Sequence, residues 1–250
     1  MLSVCDIASE LATLPISFDE PVYGSNQPTF TEFMAPGVIL SITYFMAVGL
    51  TALSFIIERK EGLLERSFVA GVTATEVMLA HVVAQFAVMI VQVKATFGIP
   101  TPDMVLHALL LFFQVALVLV FMIYVFEVPA HGPMIWVICL TMLQGLCGMA
   151  FGLVVSALCD NEQDAIQLAL GSFYPNLLLS GIIWPLEGML PQLRYISYVL
   201  PQTYACEAMR GMLSRGWGIT WPQVHEGYLV TLAWTVIQLV LSACILRVRS

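Results

Sequence analysis

The hydrophobic residues of this chain fall into long runs that are separated by shorter polar stretches. The runs cover residues 36–57, 77–97, 104–126, 134–158, 165–184 and 228–246. About 20 apolar residues in a helix cross the hydrocarbon core of a bilayer, so each run is long enough for one span. The pattern predicts an all-α, polytopic transmembrane domain.

Residues 1–35, ahead of the first run, are polar and acidic and contain neither lysine nor arginine. Prolines at positions 15, 21 and 28 interrupt any long helix here. Cytoplasmic loops are enriched in lysine and arginine. We therefore expect the end of an extracellular loop in residues 1–35, with the first span opening at Pro36.

The densest group of charges in the chain lies directly after the first run, at residues 58–66. It contains three basic residues, and Leu63 and Leu64 are interleaved with them. This mixture is typical of a short amphipathic helix at a membrane surface, and its basic residues favour the cytoplasmic side. The alternative is a solvated turn that only anchors the orientation of the spans.

Residues 185–226 form a longer, half-polar stretch in which proline and glycine divide short apolar pieces. Those pieces are too short to span a bilayer and too apolar for a free loop. Because backbone at membrane depth must have its hydrogen bonds satisfied, we expect re-entrant or interfacial helices here.

The composition supports a membrane protein and excludes a nucleic-acid-binding one. Hydrophobic residues make up 59% of the chain and charged residues 10%, whereas a soluble domain carries about 25% charged residues. Such a chain has too few polar side chains to cover a water-facing surface. The net charge of −8 leaves no basic stripe that could neutralise phosphates.

The sequence lacks the motifs of several enzyme classes. Its two lysines, Lys60 and Lys94, stand outside any GxxxxGK[ST] motif, so the chain has no phosphate-binding loop. No HExxH metalloprotease motif is present either. We therefore expect no catalytic residue, no metal site and no cofactor-binding residue in this chain.

One apolar run carries a stripe of small residues at helical spacing, namely Gly148, Gly152 and Ser156. Small residues spaced by four let two helix backbones approach closely in a membrane. The stripe predicts helix packing, either inside one subunit or at the seam of a dimer.

Several short motifs occur in a distinctive order along the chain. They lie at residues 33–37 (F-x-x-P-G), 58–65 (E-R-x-x-G-x-x-E), 152–156, 160–165, 179–185, 189–191, 200–201 and 207–210. In this order they resemble the membrane domain of type-2 ABC exporters. They are most similar to the arthropod half-transporters of subfamily H, also described as G family member 20/23-like.

The resemblance implies roles for four groups of residues. Residues that contact the ATPase domain would be Glu58, Arg59, Glu61, Glu65 and Arg66. Residues of the external, re-entrant gate would be Trp184, Pro185, Glu187, Pro191, Pro201, Glu207 and Arg210. Residues that line the substrate pathway would be Thr43, Phe45, Tyr174 and Asn176, and those of helix packing are Gly148, Gly152 and Ser156.

The resemblance also implies the partners. Members of this family carry an ATP-binding domain, which holds ATP and Mg²⁺, followed by six spans. This chain contains neither that domain nor the first span, so we expect a C-terminal fragment, a truncated gene model or a separate subunit. The implied partners are an ABC ATP-binding domain, a second membrane domain in a homodimer, and the lipid bilayer of the plasma membrane.

Residues 93–114 disturb this arrangement, because the family has one span where this chain has two apolar runs. Removing them would leave a single span between residues 75 and 126. Their ends can be encoded as an intron donor and an intron acceptor, so we interpret the segment as a translated intron; the alternative is a genuine insertion. One span here gives five in the chain, whereas two give six and invert everything after residue 127. We favour five, because the resemblance requires residues 185–226 to be external.

The sequence thus predicts the permease part of an ATP-driven exporter, which moves an amphipathic or lipid-like substrate. The alternatives are a membrane channel or scaffold without ATP coupling, or a non-functional fragment of a half-transporter.

Overall fold

A computed structural model describes residues 30–73, 76–80, 82–84 and 132–249. Within these ranges the chain is helical and contains no strand. The suspected insertion at residues 93–114 lies outside the described residues, as do residues 1–29.

Seven α-helices organise the described part of the chain. They are α1 (Phe30–Lys60), α2 (Leu63–Val69), α3 (Met134–Leu158), α4 (Glu162–Leu179), α5 (Pro191–Val199), α6 (Pro201–Arg215) and α7 (Pro222–Arg249). A single 3₁₀ turn, Leu186–Gly188, precedes α5. Residues 76–80 and 82–84 are also helical, and the backbone N–H and hydroxyl of Thr73 both donate to Glu76 Oε2 at 2.8 Å as a cap.

The long helices α1, α3 and α7 form the body of the bundle, and α6 is packed against one end of it. Leu40 of α1, Leu140 of α3 and Met209 of α6 share one buried cluster, which Val224 of α7 completes. Of the described helices, α1, α3 and residues Pro222–Val248 of α7 are long and apolar enough to cross a membrane. This is the all-α membrane architecture that the sequence predicts.

The helix α3 is held directly against the backbone of α1 at two glycines. A Cβ atom at Gly152 would lie 2.7 Å from the carbonyl oxygen of Val48, and one at Gly148 would overlap the carbonyl of Tyr44. Ser156, the third member of the stripe, is fully buried. The structure therefore places the small residues at a contact within one chain, which is one of the two arrangements that the sequence allows.

The helix that contains the first predicted span begins six residues before that span. The helix α1 begins at Phe30, so residues 30–35 are helical and Pro36 lies in the second turn instead of the first. Proline removes one early backbone hydrogen bond there. Contacts from α6 to this turn, described below, hold it in place.

The helices over two later apolar runs have bounds that differ from those of the runs. The run 165–184 becomes α4, which begins at Glu162 and ends at Leu179. It ends there because Gly181 adopts a left-handed backbone conformation, with φ of 72°. The run 228–246 becomes α7, which starts earlier, at Pro222, and continues to Arg249. Of the runs that the structure describes in full, the run 134–158 agrees at both ends.

The charged segment divides between two helices. Residues 58–60 complete α1, Gly62 turns the chain with φ of 70°, and α2 follows as a separate short helix. A short helix in this charged segment is what the sequence predicts, although the prediction did not separate it from the end of α1.

The bundle has two distinct ends. We call the end at Lys60, Leu158 and Glu162 the charged end, and the end at Phe30, Met134 and Pro222 the aromatic end. Three tryptophans lie in the loops at the aromatic end, namely Trp184, Trp217 and Trp221. Trp136 lies in the first turn of α3 at the same end.

Candidate functional site

At the charged end, Arg59 joins three parts of the chain. Its guanidinium forms an ion pair with Asp160 Oδ1 at 3.3 Å and donates to the carbonyl oxygen of Ser156 at 3.0 Å. It also lies over the ring of Phe55, 5.8 Å from the centroid. The carbonyl of Ser156 belongs to the last turn of α3, where no intrahelical donor is available. Arg59 therefore fastens the end of α1 to the end of α3 and to the turn that follows.

A second ion pair lies beside the first. Lys60 Nζ contacts Glu162 Oε1 at 3.0 Å, in the first turn of α4. Both side chains are about half exposed, so salt weakens the attraction between them. Together the two pairs join α1 to the α3–α4 turn.

Beyond these pairs, α2 projects from the bundle with most of its side chains exposed. Glu61, Glu65 and Arg66, three of the residues that the resemblance assigns to ATPase contact, are exposed here. So are the apolar side chains of Phe68, at 39%, and Val69, at 90%. This surface offers both charged and apolar groups to a soluble partner.

At the aromatic end, Arg210 of α6 binds three backbone carbonyls. Its Nε donates to Phe33 O at 2.9 Å, and one terminal nitrogen donates to Gly181 O at 2.7 Å and Ile182 O at 3.1 Å. The guanidinium also stacks over the ring of Phe33, 3.7 Å from its centroid. Arg210 thus connects the first turn of α1 and the loop after α4 to α6.

Close packing reinforces this connection at the F-x-x-P-G motif. A Cβ atom at Gly37 would lie 2.7 Å from Cys206 Sγ and 3.0 Å from the side chain of Ile182. The motif therefore places a glycine where α1 contacts α6 and the loop most closely. Sequence reasoning identified the motif but not the contact that requires it.

Most of the other residues predicted for the gate lie at the outer surface of this end, whereas Pro201 is buried. Trp184, Pro185 and Glu187 are exposed in the loop after α4, and Pro191 and Pro201 are the first residues of α5 and α6. Proline is well suited to this position, because its missing N–H would have no intrahelical acceptor. Two short helices in residues 185–226 agree with the predicted division of this stretch.

The second arginine of this region also binds backbone. Arg194 of α5 donates to Leu186 O at 2.9 Å and to Glu187 O at 2.6 Å. The loop after α4 is therefore held from both sides, by Arg194 and by Arg210. Two arginine side chains from outside the loop therefore bind its backbone.

The carboxyl group of Glu207, one turn before Arg210, has a pKa above its ordinary value. Burial raises its pKa above the ordinary value, and the nearby carboxylates of Glu187 and Glu226 raise it further, while Arg210 and Arg215 oppose the shift. A raised pKa in the folded state means that folding favours the protonated carboxyl. Stability contributed by this group therefore increases as the pH falls from the folded-state pKa towards the ordinary pKa of glutamate.

The four predicted pathway residues do not form one cluster. Phe45 packs edge-on against Phe173, with centroids 4.5 Å apart, and Phe173 contacts Tyr174 at 5.4 Å. Asn176 is buried and accepts a hydrogen bond from Ser180 at 2.7 Å, and Thr43 donates to Ile39 O of its own helix at 2.9 Å. The structure thus brings Phe45 and Tyr174 together through Phe173, while Asn176 and Thr43 make local contacts.

Sequence reasoning missed several residues that complete these sites. The sequence presents Asp160 and Glu162 only as members of the motif at residues 160–165, although a basic pair at the end of one run and an acidic turn after another are complementary. Phe173 carried no signal that set it apart from neighbouring aromatics. In the part of the chain that the structure describes, no group of three or more His, Cys, Asp or Glu side chains could hold a metal ion.

Comparison with known proteins finds a family match over part of the chain. Residues 95–213 match the family described as ABC-2 type transporter. The chain is 32% identical over 215 residues to ABC transporter G family member 20 of Dictyostelium discoideum, which covers 86% of this chain and 26% of that protein. It is 25% identical over 228 residues to G family member 23 of the same organism, covering 91% of this chain and 29% of that protein.

A bacterial relative extends the comparison. The chain is 26% identical over 199 residues to the probable multidrug ABC transporter permease YbhR of Escherichia coli K12, covering 76% of this chain and 47% of that protein. The chain therefore spans less than a third of the length of the Dictyostelium relatives and about half that of the bacterial one. It is an integral membrane chain whose residues 95–213 match the ABC-2 type transporter family, and it is similar to G family members of Dictyostelium and to permeases of E. coli.

Proposed function

We propose that this chain forms the substrate pathway of an ATP-driven exporter and receives its energy from an ATP-binding domain docked at the charged end. The observation that carries this proposal is the exposed helix α2, which is joined by a single glycine turn to the membrane-crossing helix α1. A soluble domain that bound α2 would act directly on α1. ATP and Mg²⁺ would be held by that domain and not by this chain.

The arrangement of the two ends supports this orientation. Basic residues at the charged end favour the cytoplasmic side, and tryptophans at the aromatic end are typical of a membrane interface. Met78 packs with Phe55 and Leu153 near the charged end. A Cβ atom at Gly132 would overlap the carbonyl of Met212 at the aromatic end. Met78 therefore lies near the charged end and Gly132 at the aromatic end, an arrangement that supports the five-span topology.

The substrate we propose is amphipathic or lipid-like. The aromatic contact between Phe45, Phe173 and Tyr174 joins α1 to α4, and Tyr174 is 61% exposed. Two such domains, in a homodimer at the plasma membrane, would enclose the pathway between these helices. The name of the bacterial relative, a multidrug permease, is compatible with a cargo of this kind. Membership of the arthropod subfamily H stays a prediction.

A channel or scaffold without ATP coupling is the competing function. Channels commonly select ions with rings of charged side chains. Of the described residues that are buried, the polar ones are serine, threonine, asparagine and glutamine, and none is charged. The observations therefore favour the exporter.

The proposal is tested by replacing Glu58 and Glu65 with alanine in the assembled transporter. If these residues contact the ATP-binding domain, we expect ATP hydrolysis to fall by about tenfold, which corresponds to about 1.4 kcal/mol of lost interaction. The matched control is Glu226→Ala, which removes an exposed carboxylate at the aromatic end. Hydrolysis that the double variant leaves at the level of the control would contradict docking at this segment, and the absence of any associated ATPase would favour the scaffold.

A further inference from the structure

The two ion pairs at the charged end connect helices that are far apart in the sequence. Arg59 and Asp160 are separated by 101 positions, and Lys60 and Glu162 by 102. One partner of each pair lies in the last turn of α1, directly before α2. The other partner lies in the turn between α3 and α4 or at the start of α4.

The charges of both pairs also suit the helices that carry them. Lys60 and Arg59 lie at the C-terminal end of α1, where the helix dipole attracts positive charge, and Glu162 lies in the first turn of α4, where the dipole attracts negative charge. Arg59 additionally satisfies the carbonyl of Ser156 in the last turn of α3. The end of α1 is therefore attached to both neighbouring helices.

The helix α4 has few other attachments within the described chain. Of its 18 residues, Ala165 and Asn176 are buried. Its contacts with α1 include the Phe45–Phe173 pair and a cluster in which Ala165 packs with residues of α1. The position of α4 therefore depends strongly on α1.

We infer that Arg59 and Lys60 act as positioning residues that transmit movement of the coupling segment (residues 58–66) to α4. This inference rests on the proposed function, because it assumes that an ATP-binding domain moves α2. When α2 tilts, the end of α1 moves with it, and the two ion pairs carry the α3–α4 turn along. The pathway helix α4 then shifts together with α1 instead of lagging behind it.

The test compares hydrogen–deuterium exchange in α2 and α4 of the assembled transporter in lipid nanodiscs. Exchange is measured with ADP and again with ATP and vanadate, and ATP hydrolysis is followed by phosphate release. The variant carries both Asp160→Asn and Glu162→Gln, which remove the acidic partner of each pair. Exposed ion pairs contribute little to folding stability, so we expect the variant to fold. The matched control, Asp164→Asn, removes one exposed negative charge from the first turn of α4 and leaves both pairs intact.

In the native protein and in the control, we expect ATP and vanadate to change exchange in both helices. In the double variant, the change in α2 should persist, ATP hydrolysis should continue, and the change in α4 should fall by at least half. Lys60→Glu alone should behave like the double variant, and adding Glu162→Lys should restore at least part of the response by reversing the pair.

Every other result contradicts either the transmission by these pairs or the proposed function. A full response of α4 in the double variant, or a native protein in which α2 responds and α4 does not, overturns the transmission by these pairs. A native protein that neither hydrolyses ATP nor responds in α2 overturns the proposed function itself.

Discussion

Replacing Gly148 with alanine is expected to prevent the domain from assembling. The new Cβ atom would overlap the carbonyl oxygen of Tyr44, which is backbone and cannot rotate away. The helices α1 and α3 would have to separate along their whole contact, including the packing of Gly152 against Val48. Overpacking in a core costs about 1–3 kcal/mol when side chains can adjust, and a contact with backbone should exceed that range.

The matched control is Gly49→Ala in α1. A Cβ atom at Gly49 meets nothing within 4 Å, and alanine favours a helix over glycine by about 1 kcal/mol. Fluorescence-detected size exclusion in mild detergent measures the folded fraction of both variants. We expect a single folded peak for Gly49→Ala and aggregation for Gly148→Ala. Equal folded yields would show that α1 and α3 are not held this closely.

Replacing Arg210 with methionine is expected to loosen the aromatic end. Methionine retains much of the side-chain length but cannot donate hydrogen bonds, so the carbonyls of Phe33, Gly181 and Ile182 would lose their shared partner. Hydrogen bonds to a charged group contribute about 1.5–3 kcal/mol each, and they are not additive. We expect a loss of stability on the order of 3 kcal/mol, measured as a lower midpoint of thermal unfolding.

Arg215→Met provides the control for this change, because it removes the same group at an exposed position. Arg215 stacks over Trp217 at 4.6 Å, and such an exposed contact contributes about 0.5–1 kcal/mol. Arg210→Lys should be intermediate, since an ammonium retains the charge but not the planar set of donors. If Arg210→Met unfolds at the same temperature as Arg215→Met, the three carbonyl contacts do not hold this end together.

The ends of the helices show which features of the fold could be predicted from the sequence. The bounds of α3 could be predicted because Pro133 precedes it and the polar turn at Asp160 follows it. The end of α4 could not be predicted, because the apolar residues continue to Trp184 although the backbone turns at Gly181. The hydrophobicity of a segment indicates whether it can lie in an apolar environment. It does not indicate at which residue the helix ends.

The partners of the site residues were harder to predict than the residues themselves. Arg210 belongs to a motif that the sequence presents plainly, but its acceptors are main-chain carbonyls, which every residue carries. Arg59 and Asp160 are recognisable as opposite charges, but nothing in the sequence shows which turn faces the end of α1. Pairings of this kind are set by the packing of α1 against α3, which only the three-dimensional structure supplies.

The central claim, that an ATP-binding domain docks on α2, is tested most directly by cross-linking in native membranes. The photoreactive residue p-benzoylphenylalanine replaces Phe68, which is 39% exposed in α2. A second preparation carries it in place of Tyr195, which is 76% exposed at the aromatic end. We predict that the probe at position 68 forms a cross-link to a peptide from a domain with a phosphate-binding loop, and that the probe at position 195 does not. Cross-links from position 68 to lipid alone, or an ATP-binding domain captured equally from position 195, would contradict it.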